Sequence, residues 1–214
     1  MKRSNQLSHP TKLTVVIPAR DEKEGIGKTI RAIPKAELER MGYQVQILVV
    51  DSSTDNLTAE IAENAGAQVI SEPRIGYGRA YKTGFAHAEG EIIATADADM
   101  TYPVEDIPKF VRMIEEENLD FITTNRFAYM DKGAMSFRNR VGNSLLSLAM
   151  RLLFWVKVKD SQSGMWVFRR DILDRVVLRS DKMSFSEEFK IEARSSTAPR
   201  GQTERNIIHM RLDE

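Results

Sequence analysis

Four short apolar runs, LTVVIP (Leu13 to Pro18), VQILVV (Val45 to Val50), QVI (Gln68 to Ile70) and EIIATA (Glu91 to Ala96), are separated by longer polar stretches with helical spacing. Such alternation predicts parallel strands joined by crossover helices. Asp55 and Asn56 ahead of LTAEIAENAG supply a helix start, and Gly66 behind it supplies a stop. Pro103 and Pro108 bracket a turn and the beginning of a helix over roughly residues 107–117, after which LDFITTNR reads as a fifth strand. The expected class is α/β: a Rossmann-like, mostly parallel sheet flanked by helices.

The second half is less regular. Residues 141–158 read as a helix, GMWVFR (Gly164 to Arg169) as a strand, and residues 171–178 and 187–193 as short helices. The most apolar stretch, LLSLAMRLLFWVKV (Leu145 to Val158), is shorter than the roughly 20 residues of a membrane span and is interrupted by Arg151 and Lys157. It fits a buried helix or, with Phe154 and Trp155 as anchors, an interfacial one. Residues 1–11 are a polar arm with no secretory pattern, residues 12–193 form the expected domain, and residues 194–214 are an atypical tail, unpatterned apart from NIIHM.

Composition then narrows the chemistry. The 214 residues suit one domain with a substantial core. Lys and Arg number 31 and so do Asp and Glu, so no broad polyanion-binding surface is implied and nucleic acid is not an expected partner. With no cysteine, any metal must use oxygen or imidazole ligands, and the chain suits a reducing cytoplasm.

A parallel sheet binds ligands outside the carboxyl ends of its strands. The residues there are unusually polar: Pro18-Ala19-Arg20-Asp21-Glu22 after the first run, Asp51-Ser52-Ser53-Thr54-Asp55 after the second, Asp97-Ala98-Asp99 after the fourth. Carboxylates gathered at one edge repel one another unless a cation lies among them. Asp21 and Asp55 are explained equally well as helix caps. Asp97 and Asp99 are not, because alternate positions past a strand point to one side and no helix begins before Pro103. A hard cation, Mg2+ or Mn2+, held by only one or two carboxylates keeps positions open for phosphate oxygens, which suits a nucleotide diphosphate. The first loop, PARDE, lacks the glycine-rich turn of a dinucleotide-binding enzyme, and GIGK (Gly25 to Lys28) lacks the spacing of a phosphate loop.

In order and spacing, VVIPARDE, VVDSSTDNLTAEIAENAGAQVI, IGYGRAYKTGF, ADADMTYPVEDIP and DSQSGMWVFRR resemble the family 2 glycosyltransferases of GT-A fold, most of all the dolichol-phosphate mannose synthases and related polyprenyl-phosphate glycosyltransferases. The resemblance covers about residues 12–193. It implies that Pro18, Ala19, Arg20 and Glu22 line the nucleoside pocket, that Asp51 hydrogen-bonds the base, and that Asp97 and Asp99, with Ala98 between them, are the metal-binding Asp-x-Asp pair. Thr101 stands where the mannose synthases usually carry a Gln that assists the metal. Arg74, Gly76, Gly78 and Arg79 match a Gly-rich basic stretch near the donor diphosphate, with a plain surface turn as the alternative. Arg126, Arg138 and Arg140 match positions facing an acceptor phosphate, a role that suits the planar guanidinium. Asp160 and Gln162 resemble a second acidic motif on the acceptor side, and Ser186, Glu187 and Glu188 a less defined one.

The implied chemistry is inverting displacement at the anomeric carbon, with the metal and Arg79 stabilising the departing diphosphate. A polyprenyl-phosphate acceptor is already ionised and leaves Asp160 a positioning role; a hydroxyl acceptor would need Asp160 as base. A lipid acceptor implies peripheral attachment at the cytoplasmic membrane face. Three alternatives stay open: a hydroxyl acceptor on a glycan or small molecule, a non-catalytic sugar-nucleotide-binding domain, and a nucleotidyltransferase. The last lacks the basic, glycine-rich loop expected after the first strand. The family pattern continues past SEE with a strand and a basic segment that residues 194–214 do not resemble, which leaves closure of the acceptor site and activity open. Donor base, donor sugar and oligomeric state are not legible.

Overall fold

The computed structural model describes residues 11–125, 163–196 and 207–211. The expected helix over 141–158, and with it the apolar stretch 145–158, lies outside them. Among the described residues seven strands form one sheet in the order β3-β2-β1-β4-β6-β5-β7. They are β1 (Thr11–Ala19), β2 (Tyr43–Asp51), β3 (Gln68–Ser71), β4 (Ile92–Thr95), β5 (Phe121–Asn125), β6 (Trp166–Arg169) and β7 (Ile207–Arg211). β1, β2, β3 and β4 are mutually parallel, β6 runs antiparallel between β4 and β5, and β7 pairs parallel with β5. Within residues 194–214 it is the NIIHM segment that supplies β7.

Helices α1 (Ile26–Ala32), α2 (Lys35–Arg40), α3 (Leu57–Asn64), α4 (Tyr77–His87), α5 (Ile107–Glu116) and α6 (Phe185–Ser196) cover both faces. Side-chain alternation divides β1 between two cores. Leu13, Val15 and Ile17 face a cluster completed by Ile26, Leu38, Ala62, Phe110 and Ile114 of α1, α2, α3 and α5. Val16 faces the other, with Leu48, Val50, Ile93, Tyr81 and Phe85 of α4, and Phe185 and Phe189 of α6. β4 is buried along its whole length, as a central strand covered on both faces must be.

Local signals explain the boundaries. α5 buries Ile107, Phe110, Val111 and Ile114, one stripe at helical spacing. Its last turn is closed by Arg169, whose Nε and Nη2 donate to the carbonyls of Leu119 and Ile114 at 3.0 Å each. α3 ends as expected: Gly66 takes φ +93°, and the amide of Ala67 reaches the Ala62 carbonyl at 3.1 Å, closing the helix in a left-handed turn. The helix expected over 171–178 does not form. Residues Arg170–Ile172 make a single 3-10 turn instead. Arg175 Nε bonds back to the Asp171 carbonyl at 3.2 Å, and only Ile172 of that turn enters the core.

Candidate active site

The parallel strands β1, β2, β3 and β4 end at Ala19, Asp51, Ser71 and Thr95, and the loops that leave them enclose a cavity of about 280 Å3. Its walls are Pro18, Ala19, Arg20 and Glu22 from the first loop, Ser52 from the second, Ile75, Gly76, Tyr77 and Ala80 from the start of α4, and Asp97, Ala98 and Asp99 after β4. A larger hollow of about 690 Å3, lined by Lys82, Phe85, Glu91, Arg169 and Leu178 among others, lies at the opposite end of β4 and holds none of the expected site residues. The residues expected at the donor site gather around the smaller cavity.

Hydrogen bonds between the loops hold this rim in shape. The amide of Ser52 donates to the Ala19 carbonyl at 2.9 Å, joining the ends of β1 and β2. Asp21, at φ +56°, donates its amide to Ser53 Oγ at 2.8 Å and accepts the Thr54 amide at 3.2 Å. The Glu22 amide donates to Thr58 Oγ1 at 3.1 Å. Asp51 does not line the cavity; it is 8% exposed beside it, and its Oδ1 accepts both the amide and the hydroxyl of Ser53 at 3.0 and 2.5 Å.

The loop carrying Asp97 and Asp99 is pinned from beneath. Thr29 Oγ1 of α1 donates to the Ala98 carbonyl at 3.0 Å, and Gly25 sits so near that a Cβ there would fall 2.5 Å from the same oxygen. Asp99 Oδ1 accepts the Thr101 amide at 2.9 Å, bending the chain through Met100 at φ +63°. A left-handed methionine is a costly conformation of the kind that clusters at functional sites. Burial first, and then the charges of Asp99 and Asp21, raise the Glu22 carboxyl above the usual carboxylate range. The site therefore concentrates negative charge where a cation would relieve it. Among the described residues no group of three His, Cys, Asp or Glu side chains could hold a metal ion.

Asp97 packs against the bend Ser163-Gly164, where a Gly164 Cβ would fall 3.1 Å from Asp97 Oδ1 and 2.4 Å from the Tyr77 hydroxyl. The bend is tightly held. The Gly164 amide donates to Tyr102 Oη at 2.7 Å, and its carbonyl accepts from Thr95 Oγ1 at 2.7 Å. The Ser163 carbonyl accepts from Trp166 Nε1, Ser186 Oγ and the buried Lys190 Nζ at 2.9, 3.0 and 2.8 Å. Asp160 and Gln162, which precede this bend, and Arg126, Arg138 and Arg140 lie outside the described residues.

The basic stretch is placed beside the cavity rather than in its wall, with Gly76 as its contribution to the lining. Arg74 donates through Nε and Nη2 to the two oxygens of buried Glu72, at 2.7 Å each. Arg79 Nη2 donates to Asp181 Oδ2 at 2.6 Å. Sequence reasoning missed Ser52, Ile75, Tyr77 and Ala80 as wall residues. The signal for two of them was present, since Tyr77 and Ala80 share a helix face with Gly76. Nothing in the sequence marked Asp181.

A three-layer α/β/α domain with an Asp-x-Asp loop at the carboxyl edge of its sheet has the architecture of a GT-A glycosyltransferase. The chain superposes on the glucosyl-3-phosphoglycerate synthase of Mycobacterium tuberculosis, solved with Mn2+, uridine diphosphate and phosphoglyceric acid. The TM-score is 0.72 at 22% identity, over 94% of this chain and 69% of that one, and the fold is GT-A. Residues 14–177 match the model of glycosyl transferase family 2, and the chain belongs to that family. It is 38% identical over 183 residues to the low-salt glycan biosynthesis hexosyltransferase of Haloferax volcanii, covering 85% of this chain and 44% of that protein. It is 32% identical over 164 residues to a dolichyl-phosphate hexose transferase of the same organism, covering 75% of this chain and 68% of that one. The chain thus spans less than half the length of the first of these relatives. Among the described residues no helix is long and apolar enough to cross a membrane.

Proposed function

We infer that this chain carries the donor site of an inverting hexosyltransferase that moves a hexose from a nucleotide-diphosphate sugar, GDP-mannose or UDP-glucose, to a polyprenyl or dolichyl phosphate. The observation that carries the reading is the joining, in one cavity at the carboxyl edge of the sheet, of the PARDE loop with Asp97 and Asp99. Two relatives named as hexose transferases, one of them acting from its name on dolichyl phosphate, support the sugar and the acceptor class.

Pro18, Ala19, Arg20, Glu22 and Ser52 would wall the nucleoside, with Asp51 beneath it, and Gly76 would contribute backbone to the wall beside the diphosphate. Asp97 and Asp99 would hold Mg2+ or Mn2+ with phosphate oxygens completing the shell, and the ion would supply charge neutralisation on the leaving diphosphate. In the transfer, the bond from the anomeric carbon to the diphosphate oxygen breaks as an acceptor phosphate oxygen bonds from the opposite face. That acceptor is already ionised, so Asp160 and Gln162 would position it, with Arg126, Arg138 and Arg140 gripping its phosphate. Attachment would be peripheral, at the cytoplasmic membrane face.

Calorimetric titration with UDP-glucose and GDP-mannose, with and without Mn2+, tests the donor site. One donor is expected to bind in a metal-dependent manner, and Asp99→Ala is expected to weaken it at least about 100-fold, the scale of losing one of two charged ligands. A folded wild-type protein that binds neither would sink the reading. Transfer of radiolabelled hexose to a short-chain polyprenyl phosphate, compared with hydroxyl acceptors, tests the acceptor.

A further inference from the structure

Asp181 belongs to no motif of the sequence, yet three parts of the fold converge on it. Its Oδ2 accepts Arg79 Nη2 at 2.6 Å and its Oδ1 lies 2.5 Å from Lys82 Nζ, so one carboxylate is shared by two cations a helical turn apart on α4. These cations, Lys82 foremost, hold its carboxyl below the usual carboxylate range. Its backbone carbonyl accepts the Arg79 amide at 3.2 Å. The same carbonyl would lie 2.3 Å from a Cβ on Gly76, a wall residue of the donor cavity, so the 180–181 turn is seated directly behind that wall.

The turn itself is fixed from the other side. Glu188 of α6 accepts the amides of Arg179 and Ser180 at 3.0 and 2.8 Å, and Lys82 Nζ donates to the Arg179 carbonyl at 3.1 Å. Asp181 is therefore anchored independently of the Arg79 side chain. It does not drift with the side chain it binds.

Arg79 commits one nitrogen to this carboxylate. Its Nε and remaining terminal nitrogen have no partner among the described residues. A guanidinium presents five donors in a rigid plane, so fixing one edge orients the others. A Cβ on Gly76 would lie 3.3 Å from Arg79 Cβ, so the Arg79 side chain starts directly beside this wall residue and, as on any helix, leans toward the N-terminus of α4. Lys82 shares the charge of Asp181, so the free edge of Arg79 is available to a second anion.

Resting on the donor-site reading above, we propose that Asp181 is a positioning residue: through its ion pair with Arg79 it presents the free edge of that guanidinium to the terminal phosphate of the donor's diphosphate. The effect falls on the phosphate that a nucleoside diphosphate has and a monophosphate lacks. A role confined to stability would not distinguish the two.

The test is calorimetric binding of UDP and GDP, each against its monophosphate UMP or GMP, in Mn2+, for wild type, Asp181→Asn, Arg79→Ala and the double variant. For the base that wild type accepts, Asp181→Asn is expected to bind the diphosphate about tenfold more weakly, the loss of one charge-assisted contact, with monophosphate affinity unchanged. The double variant is expected to bind no more weakly than Arg79→Ala, as for residues acting through one contact. Should Asp181→Asn unfold, Asp181→Glu keeps the charge but displaces it, and the same selective but smaller loss is expected. Unchanged or tighter diphosphate binding, a parallel fall in monophosphate binding, or additive losses would each overturn the proposal while leaving the donor site intact. A folded wild type that binds no nucleotide removes the donor-site reading and this proposal with it.

Discussion

At Glu72 a buried carboxylate takes the amide, Nε and Nη2 of Arg74 and the hydroxyl of Thr83, at 3.1, 2.7, 2.7 and 2.7 Å. The Arg74 guanidinium, and then Thr83, draw its carboxyl down to about 2. A group depressed in the folded state stabilises above its unfolded value, and the contribution fades as pH falls toward the folded one. Glu72→Gln is therefore expected to lose about 2 kcal/mol at pH 7, the scale of a charged hydrogen bond. Urea midpoints should show the gap between variant and wild type narrowing as pH falls from 5 toward 2; a gap independent of pH would remove the ionic account. At this scale the sequence was partly readable. Asp97 and Asp99 stood out because alternate residues beyond a strand share a side, a relation that is local. The partners of Arg74 and Arg79 were not readable. Arg79 meets Asp181 across 102 positions, and no spacing rule reaches that far.

α4 is the element that joins the donor cavity to the rest of the molecule. Gly76, Tyr77 and Ala80 form cavity wall, Tyr81 and Phe85 enter the core, and Gly78 admits the 180–181 turn. A Cβ at Gly78 would meet the Ser180 carbonyl at 2.5 Å and Phe185 Cβ at 2.7 Å, neither of which is a flexible side-chain end. Gly78→Ala is expected to destabilise by about 1–2 kcal/mol, overpacking outweighing the better helix propensity. Denaturant unfolding checks this, and a stabilised variant would mean the turn yields easily. The strands and α3 and α5 followed their apolar periodicity to within a residue or two. The stretch 171–178 did not, because a side chain bonding back onto the turn competed with helix continuation, and pattern alone does not weigh that competition.

Across the whole molecule, two cores on opposite faces of one sheet hold the loops in register. The core beneath α4 and α6 is largely aromatic. Phe189 packs on Phe85, Phe121, Trp166, Phe168 and Phe185 with ring centroids 5.1 to 5.9 Å apart, tying α6 to α4 and to β5 and β6. Phe189→Ala is expected to cost about 3–5 kcal/mol. Thermal unfolding should show it, and a loss below about 1 kcal/mol would mean that this core collapses around the gap. The sequence by itself determined the α/β class, the parallel half of the sheet and the carboxylate-rich edge, because strand period, helix period and turn chemistry act over a few residues at a time. The tertiary structure alone decided the antiparallel insertion of β6 between β4 and β5, the seating of Ser163-Gly164 against Asp97, and the convergence of Arg79, Lys82 and Glu188 on the 179–181 turn. Those depend on which distant surfaces bury one another, and burial is a property of the packed molecule rather than of any stretch of chain.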